Sequence, residues 1–298
     1  MNEFAASFYD AFTECAFGGS QAAVILDAAS LDAGRRATIA REIGMPATAF
    51  VDSIGDARVQ AQFYSTVQEL PMCGHGTLCL MTHLVGEGLL TPQPGIELRL
   101  PGTTARVDVD VMPSGRLRVM LDIAPARFEP APAEVEPLLQ ALRLEREDLA
   151  ADLPLEVAHG DFIHLVVPLA GLDAMRRIRP DFAALVAYSH AHGIETVAVC
   201  CRETEAHDAN AHLRDFCPAV GVSESAAAGT TNAALTAYLL RHRVVETADT
   251  VQVVAEQGIE LGRPSRIESL ATCQEDRIER LQVGGIATRV FQGRIYVD

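Results

Sequence analysis

One stretch gathers the side chains that could do chemistry. It runs Leu70-Pro71-Met72-Cys73-Gly74-His75-Gly76-Thr77 and holds a thiol, an imidazole and a hydroxyl within five residues. A thiolate can abstract a proton from carbon, an imidazole can hold or pass one, and a hydroxyl can orient a ligand. An alternating apolar segment, Val59 to Tyr64, leads into the stretch, and an apolar helical pattern, Leu78 to Val85, leaves it. The glycines at the junction let the backbone turn sharply. Cys73, His75 and Thr77 are therefore expected where a helix begins. Free amide N–H groups and the positive end of the helix dipole lie at such a place. They can hold a carboxylate, and they can lower the pKa of a thiol.

The elements that would position this stretch follow from periodicity. Phe8 to Phe12 and Ala22 to Leu26 read as strands around the turn Cys15-Ala16-Phe17-Gly18-Gly19-Ser20-Gln21. Leu31 to Ile43 has helical spacing, Ala49 to Val51 is β-like, and Ile96–Leu100, Ala105–Val111 and Leu117–Leu121 are further strands. Residues 124–135 are rich in Pro and Ala with little periodicity and read as a linker. Beyond them, Val135–Leu142, Phe182–His192 and Thr230–Leu240 read as helices. Phe162–Val167, Val197–Cys201, Ala211–Phe216, Val251–Ala255, Ser265–Leu270, Arg277–Val283 and Thr288–Tyr296 read as strands. The two halves share an order of alternating strand, turn and apolar helix. Setting Cys73-Gly74-His75-Gly76-Thr77 against Ala226-Ala227-Ala228-Gly229-Thr230 superposes their Gly-Thr pairs and places Ala226 opposite Cys73. This predicts two similar α/β domains, 1–123 completed by 286–298, and 124–285. In each, a curved, mainly antiparallel sheet surrounds a central helix. If the two helix starts face one cleft, their dipoles favour a small carboxylate there.

Composition narrows the partners. The net charge of −16 and pI near 4.9 argue against nucleic acid and anionic membranes, which need a basic face. No basic region followed by an apolar core opens the sequence, and no uncharged apolar run is long enough to span a membrane, so a cytoplasmic location is expected. Seven cysteines without a C-x-x-C pair suit a reducing compartment and give no metal spacing. His190 and His192 read as surface residues at a helix end, and the cysteines other than Cys73 as small core residues.

Several motifs together resemble the PhzF-like family, named for the phenazine-biosynthesis isomerase, within the diaminopimelate epimerase fold group. They are Phe12-Thr13 with Gly18-Gly19-Ser20, Glu69-Leu70-Pro71 with Gly74-His75 and Thr77-Leu78, Arg214-x-Phe216-x-Pro218, Glu256-Gln257-Gly258 with Gly262-Arg263-Pro264-Ser265, and Val283-Gly284-Gly285. The resemblance covers almost the whole chain. It implies two similar domains with the active site between them, proton transfer on a small carboxylate without metal or cofactor, and a homodimer.

The family's carboxylates are replaced. Ala47 stands where the phenazine isomerase has its acid–base Glu, and Ser225 where its pattern has Asp. Met72-Cys73-Gly74-His75-Gly76-Thr77 resembles instead the proline racemase and hydroxyproline epimerase branch, which uses a thiol at this position. The reading is an isomerase or epimerase with Cys73 as base, His75 as its partner and Glu224 as a stand-in proton donor. Ser20, Gly74, Gly76, Thr77, Gly229 and Thr230 would bind substrate. Dehydration of a hydroxylated acid, or binding without turnover, are the alternatives.

Overall fold

The computed structural model describes residues 2–274 and 277–298. The chain divides into two compact units, Met1–Asp122 with Gly284–Asp298, and Ile123–Val283. In the first, β1 (Asn2–Ala11) pairs antiparallel with the C-terminal strand β18 (Ala287–Val297) and with β2 (Ser20–Ile25). β2 runs parallel to β3 (Ala47–Gly55), and β3 antiparallel to β4 (Arg58–Tyr64). β4 carries the short antiparallel β5 (Glu69–Leu70) and runs parallel to β6 (Ile96–Leu100). β7 (Thr103–Val111) and β8 (Leu117–Ile123) follow as antiparallel neighbours. Helix α1 (Ala33–Ile43) makes the β2–β3 crossover and α2 (Gly74–Gly86) the crossover to β6.

The second unit repeats the plan. β9 (Arg127–Pro130), β10 (Glu156–His159) and β11 (Ile163–Pro168) are antiparallel in turn. β11 runs parallel to β12 (Thr196–Cys201), and β12 antiparallel to β13 (Ala211–Cys217). β13 carries the short antiparallel β14 (Val222–Ser225), runs parallel to β15 (Thr250–Gln257), and β15 pairs antiparallel with β16 (Ser265–Gln274). β17 (Arg277–Gly285) completes the strands. Helices α4 (Leu172–Arg177) and α5 (Phe182–His192) lie in the β11–β12 crossover, and α6 (Gly229–Arg241) in the crossover to β15. From β18–β1 through β6–β7, and from β9–β10 through β15–β16, antiparallel and parallel pairings come in the same order. The fold is thus mixed α/β, two like units of mainly antiparallel sheet.

Burial explains why α2 and α6 sit inside their sheets. In α2 every residue from Gly76 to Met81 is buried, and in α6 every residue from Thr231 to Leu240. A helix apolar on all sides must lie in a core. α2 packs on β1, β2, β3 and β18, and α6 on β11 and β16. The outer face of the second unit is covered by α4, α5 and α3 (Glu136–Leu142), through Leu138, Leu142, Met175, Ile178 and Leu185 against Val197, Val199 and Phe216. One expectation needs correction. The stretch read as a linker contains β9, whose four residues are too few to show a period. β10, with four residues, and α4, with six, are also too short to leave a periodic trace in the sequence.

Candidate active site

The first unit builds its helix start from β4, β5 and the three residues after them. Cys73 is the N-cap of α2, in extended conformation, and its carbonyl accepts from the Thr77 amide at 2.9 Å and the Thr77 hydroxyl at 2.8 Å. These two bonds fix the first turn and use the Thr77 side chain internally. The Cys73 sulfur is turned inward, 3.6 Å from both ring nitrogens of His75. The amide of Gly76 also points at it. Gly76 is required here. A Cβ would lie 2.9 Å from Cε1 of Phe63 and 3.0 Å from the Cys73 sulfur. At Gly74 an added Cβ would meet nothing within 4 Å, so the first residue of α2 borders open space.

The expectation of a lowered thiol pKa is overturned. Burial pushes the Cys73 thiol up to about 12, and the Gly76 amide offsets only part of that. Cys73 is 6% exposed, so removing water from a thiolate outweighs the one N–H on the sulfur. Burial likewise pushes His75 down to about 4. The pair therefore rests as neutral thiol beside neutral imidazole. Ser20 heads β2 opposite Ala11, and no hydrogen bond joins its hydroxyl to Cys73 or His75. The turn before it depends on Gly19, with φ +54°, where a Cβ would stand only 1.9 Å from the Ala11 carbonyl oxygen. Asp10 anchors the same turn by accepting from the Phe17 amide at 2.6 Å.

In the second unit the N-cap of α6 is Ala228, with the same extended conformation as Cys73. The Asn232 side chain donates to the Ala228 carbonyl at 2.8 Å, as Thr77 does to Cys73. Gly74 therefore corresponds to Gly229 and His75 to Thr230. The register that superposes the two Gly-Thr pairs is two residues out, and the true counterpart of Cys73 is Ala228 rather than Ala226. The conclusion survives the correction, because either residue is alanine and lacks a thiol.

Glu224 is not free at the helix start. Both its oxygens accept from the Arg214 guanidinium, at 2.8 and 2.9 Å, and both side chains are 7% exposed. Arg214 also donates to the Met175 carbonyl and lies 4.9 Å above the Phe216 ring. The loop from Ser225 to Ala228 is held instead by residues whose roles the sequence did not reveal. Gln257 donates to the Ser225 carbonyl at 2.8 Å, and its oxygen accepts from Asn232 at 2.9 Å. Ser265 donates to the Ala226 carbonyl at 2.7 Å. Gly258, with φ +75°, admits the same carbonyl where a Cβ would stand 2.5 Å away. The Glu-Gln-Gly and Pro-Ser motifs thus brace the approach to α6. Among the described residues, no group of three or more His, Cys, Asp or Glu side chains is arranged to hold a metal, and no helix is long and apolar enough to cross a membrane.

A family model described as phenazine biosynthesis-like protein (PhzC-PhzF) matches residues 9–293. The chain belongs to this family. It is 29% identical over 298 residues to the trans-2,3-dihydro-3-hydroxyanthranilate isomerase of Pseudomonas aeruginosa, covering 97% of this chain and 98% of that one. The crystal structure of a PhzF-family phenazine biosynthesis protein from Bacillus anthracis superposes with a TM-score of 0.91 at 23% identity, over the whole of both chains. A hydroxyproline epimerase from Agrobacterium vitis shares the fold at a TM-score of 0.59 and 12% identity, over 98% of this chain and 92% of that one. This PhzF-like chain is an isomerase of the epimerase-like fold.

Proposed function

We propose that this isomerase moves a proton at a carbon adjacent to the carboxylate of a small substrate, with Cys73 as base and without metal or coenzyme. The observation that carries the reading is the Cys73–His75 pair at the α2 start, sulfur 3.6 Å from imidazole, with the Gly76 amide on the sulfur. Free amides of the first turn, at Gly74 and His75, suit a carboxylate and the enolate that develops from it. Gly229 and Thr230 offer a second such helix start in the other unit. His75 stays neutral and fixes the sulfur, and the thiol proton leaves to solvent before the thiolate engages carbon. Glu224 is assigned to holding Arg214 rather than to proton donation, because both its oxygens are occupied. A ring carboxylate of the kind named for the Pseudomonas relative is the first substrate class to try. Ala47 and Ser225, which carry no carboxylate, favour a second reading in which the chain binds such acids without turnover.

The test is solvent-to-substrate deuterium exchange over a panel of small carboxylic acids. Exchange lost on Cys73→Ser supports the base. Exchange unchanged by that substitution removes Cys73 from the mechanism, and no exchange with any acid that binds favours the binding protein. The wild-type rate is also expected to climb with pH, roughly tenfold per unit between pH 6 and 9, because the thiolate forms only against a pKa pushed up to about 12. A plateau beginning below pH 8 would contradict that ionisation.

A further inference from the structure

The two units fill the space beneath their central helices with opposite chemistry. On β4 Phe63 stands opposite Leu70, three residues before the N-cap of α2. On β13 Asp215 stands opposite Ser225, three residues before the N-cap of α6. Phe63 and Asp215 are thus equivalent, and so are Gly76 and Thr231. The neighbouring strand pair is Ala22 with Ala47 in the first unit and His164 with Thr196 in the second. One unit uses two alanines, a phenyl ring and a glycine. The other buries an imidazole, two hydroxyls and a carboxyl at exposures of 1 to 4%.

The polar set is connected but not saturated. The Thr231 hydroxyl donates to Asp215 Oδ2 at 2.9 Å and lies 3.5 Å from His164 Nδ1, which is itself 2.7 Å from the Thr196 hydroxyl. The Cys217 thiol donates to Oδ2 at 3.8 Å and the Thr196 hydroxyl also favours the ionised carboxyl, while Asp215 Oδ1 is buried with no partner at hydrogen-bond distance. Burying an acid with half its acceptors empty costs stability, and the first unit demonstrates that this fold is satisfied by apolar groups at the same places. A costly feature that packing does not need points to function.

We propose that Asp215 is a positioning residue that, through Thr231, couples carboxylate binding at the start of α6 to the uptake of one proton. The inference rests on the carboxylate specificity proposed above for that helix start. A ligand carboxylate there and an ionised Asp215 are like charges on either side of one buried hydroxyl, in a medium that screens poorly. Binding therefore draws a proton from solvent onto the Asp215 carboxyl, whose hydrogen bond to Thr231 then reverses direction. Burial already pushes Asp215 up to about 6, so the uptake falls near neutrality. Three other ionisable groups face it. Glu224 on β14 is held by Arg214, burial pushes His164 on β11 down to about 4, and burial pushes the Cys217 thiol on β13 up.

The test uses the full chain with formate as probe, followed by the amide signals of Gly229, Thr230 and Thr231 between pH 5 and 8. Saturable shifts are expected, with affinity falling by up to about a hundredfold from pH 5 to pH 8 in the wild type. In Asp215→Asn the affinity should be flat over this range. If that variant fails to fold, Thr231→Val removes the hydroxyl that favours the ionised acid and should move the midpoint to higher pH. Formate binding with the same pH dependence in wild type and Asp215→Asn, or no saturable shift at any pH, overturns the proposal. Exchange chemistry at Cys73 is read separately on added substrates. Its failure with the formate linkage intact would remove the catalytic reading alone.

Discussion

One residue decides whether the Cys73–His75 pair can exist. Gly76 gives way to both the Phe63 ring and the Cys73 sulfur, and neither neighbour can retreat, since Phe63 is fully buried. Gly76→Ala is expected to cost roughly 1–3 kcal/mol by overpacking and to lower exchange activity by displacing the sulfur. Urea unfolding and the exchange assay read the two effects, and a stable, fully active variant would show that the contact yields. Asp215 is the opposite case, a residue whose removal should help the fold. Its pKa pushed up from an ordinary 3.8 to about 6 means the folded state resists its ionisation. Stability is therefore greatest while the acid is protonated and declines as pH rises through the folded value. Asp215→Asn should gain roughly 1–3 kcal/mol at pH 8 and little at pH 4. Paired denaturation curves at the two pH values check the difference, and an equal effect at both would show that the charge is not its cause.

Helix starts are positioned by neighbouring segments more than by their own sequence. α2 secures its first turn through Thr77 and α6 through Asn232, each bonding back to the N-cap carbonyl. The preceding loop of α6 adds Gln257 and Ser265, which come from strands β15 and β16 far along the chain. Gln257 makes three polar contacts, to the Ser225 carbonyl, the Asn232 amide and the Ala228 amide. Gln257→Ala should leave the buried Asn232 amide and two part-buried backbone groups without these partners and cost about 1–3 kcal/mol. Faster amide exchange is expected at residues 226–231, with β1 and β2 unaffected. Uniform acceleration over both units would instead indicate global destabilisation.

Across the molecule, ion pairs set how stability depends on pH. His212 is buried between Glu256, at 2.8 Å, and Glu260, at 2.9 Å. Burial alone would lower its pKa, yet Glu260 and Glu256 together raise it above the ordinary imidazole value. A raised folded pKa contributes stability that is full below the unfolded value, near 6.5, and is lost as pH rises through the folded one. Melting temperature should therefore show an alkaline decline that His212→Gln removes, and the same decline in that variant would assign it elsewhere. The chain's linear information reached far towards this picture. Alternating and helical periods gave most strands, α1, α2, α3, α5 and α6, and the glycine-bounded motifs gave the family and the place of Cys73. These are legible because they depend on neighbours a few residues apart. Tertiary structure decided the rest. Whether Cys73 is a thiol or a thiolate depends on how much water the packed sheet removes, which the motif alone does not carry. The meeting of His164 with Thr231, and the reach of Gln257 and Ser265 to the loop before α6, join segments distant in sequence, and the pairing of Glu224 with Arg214 depends on how β13 and β14 lie together. Such meetings leave no local period, because the energy that fixes them arises only when the sheet has closed around its helix.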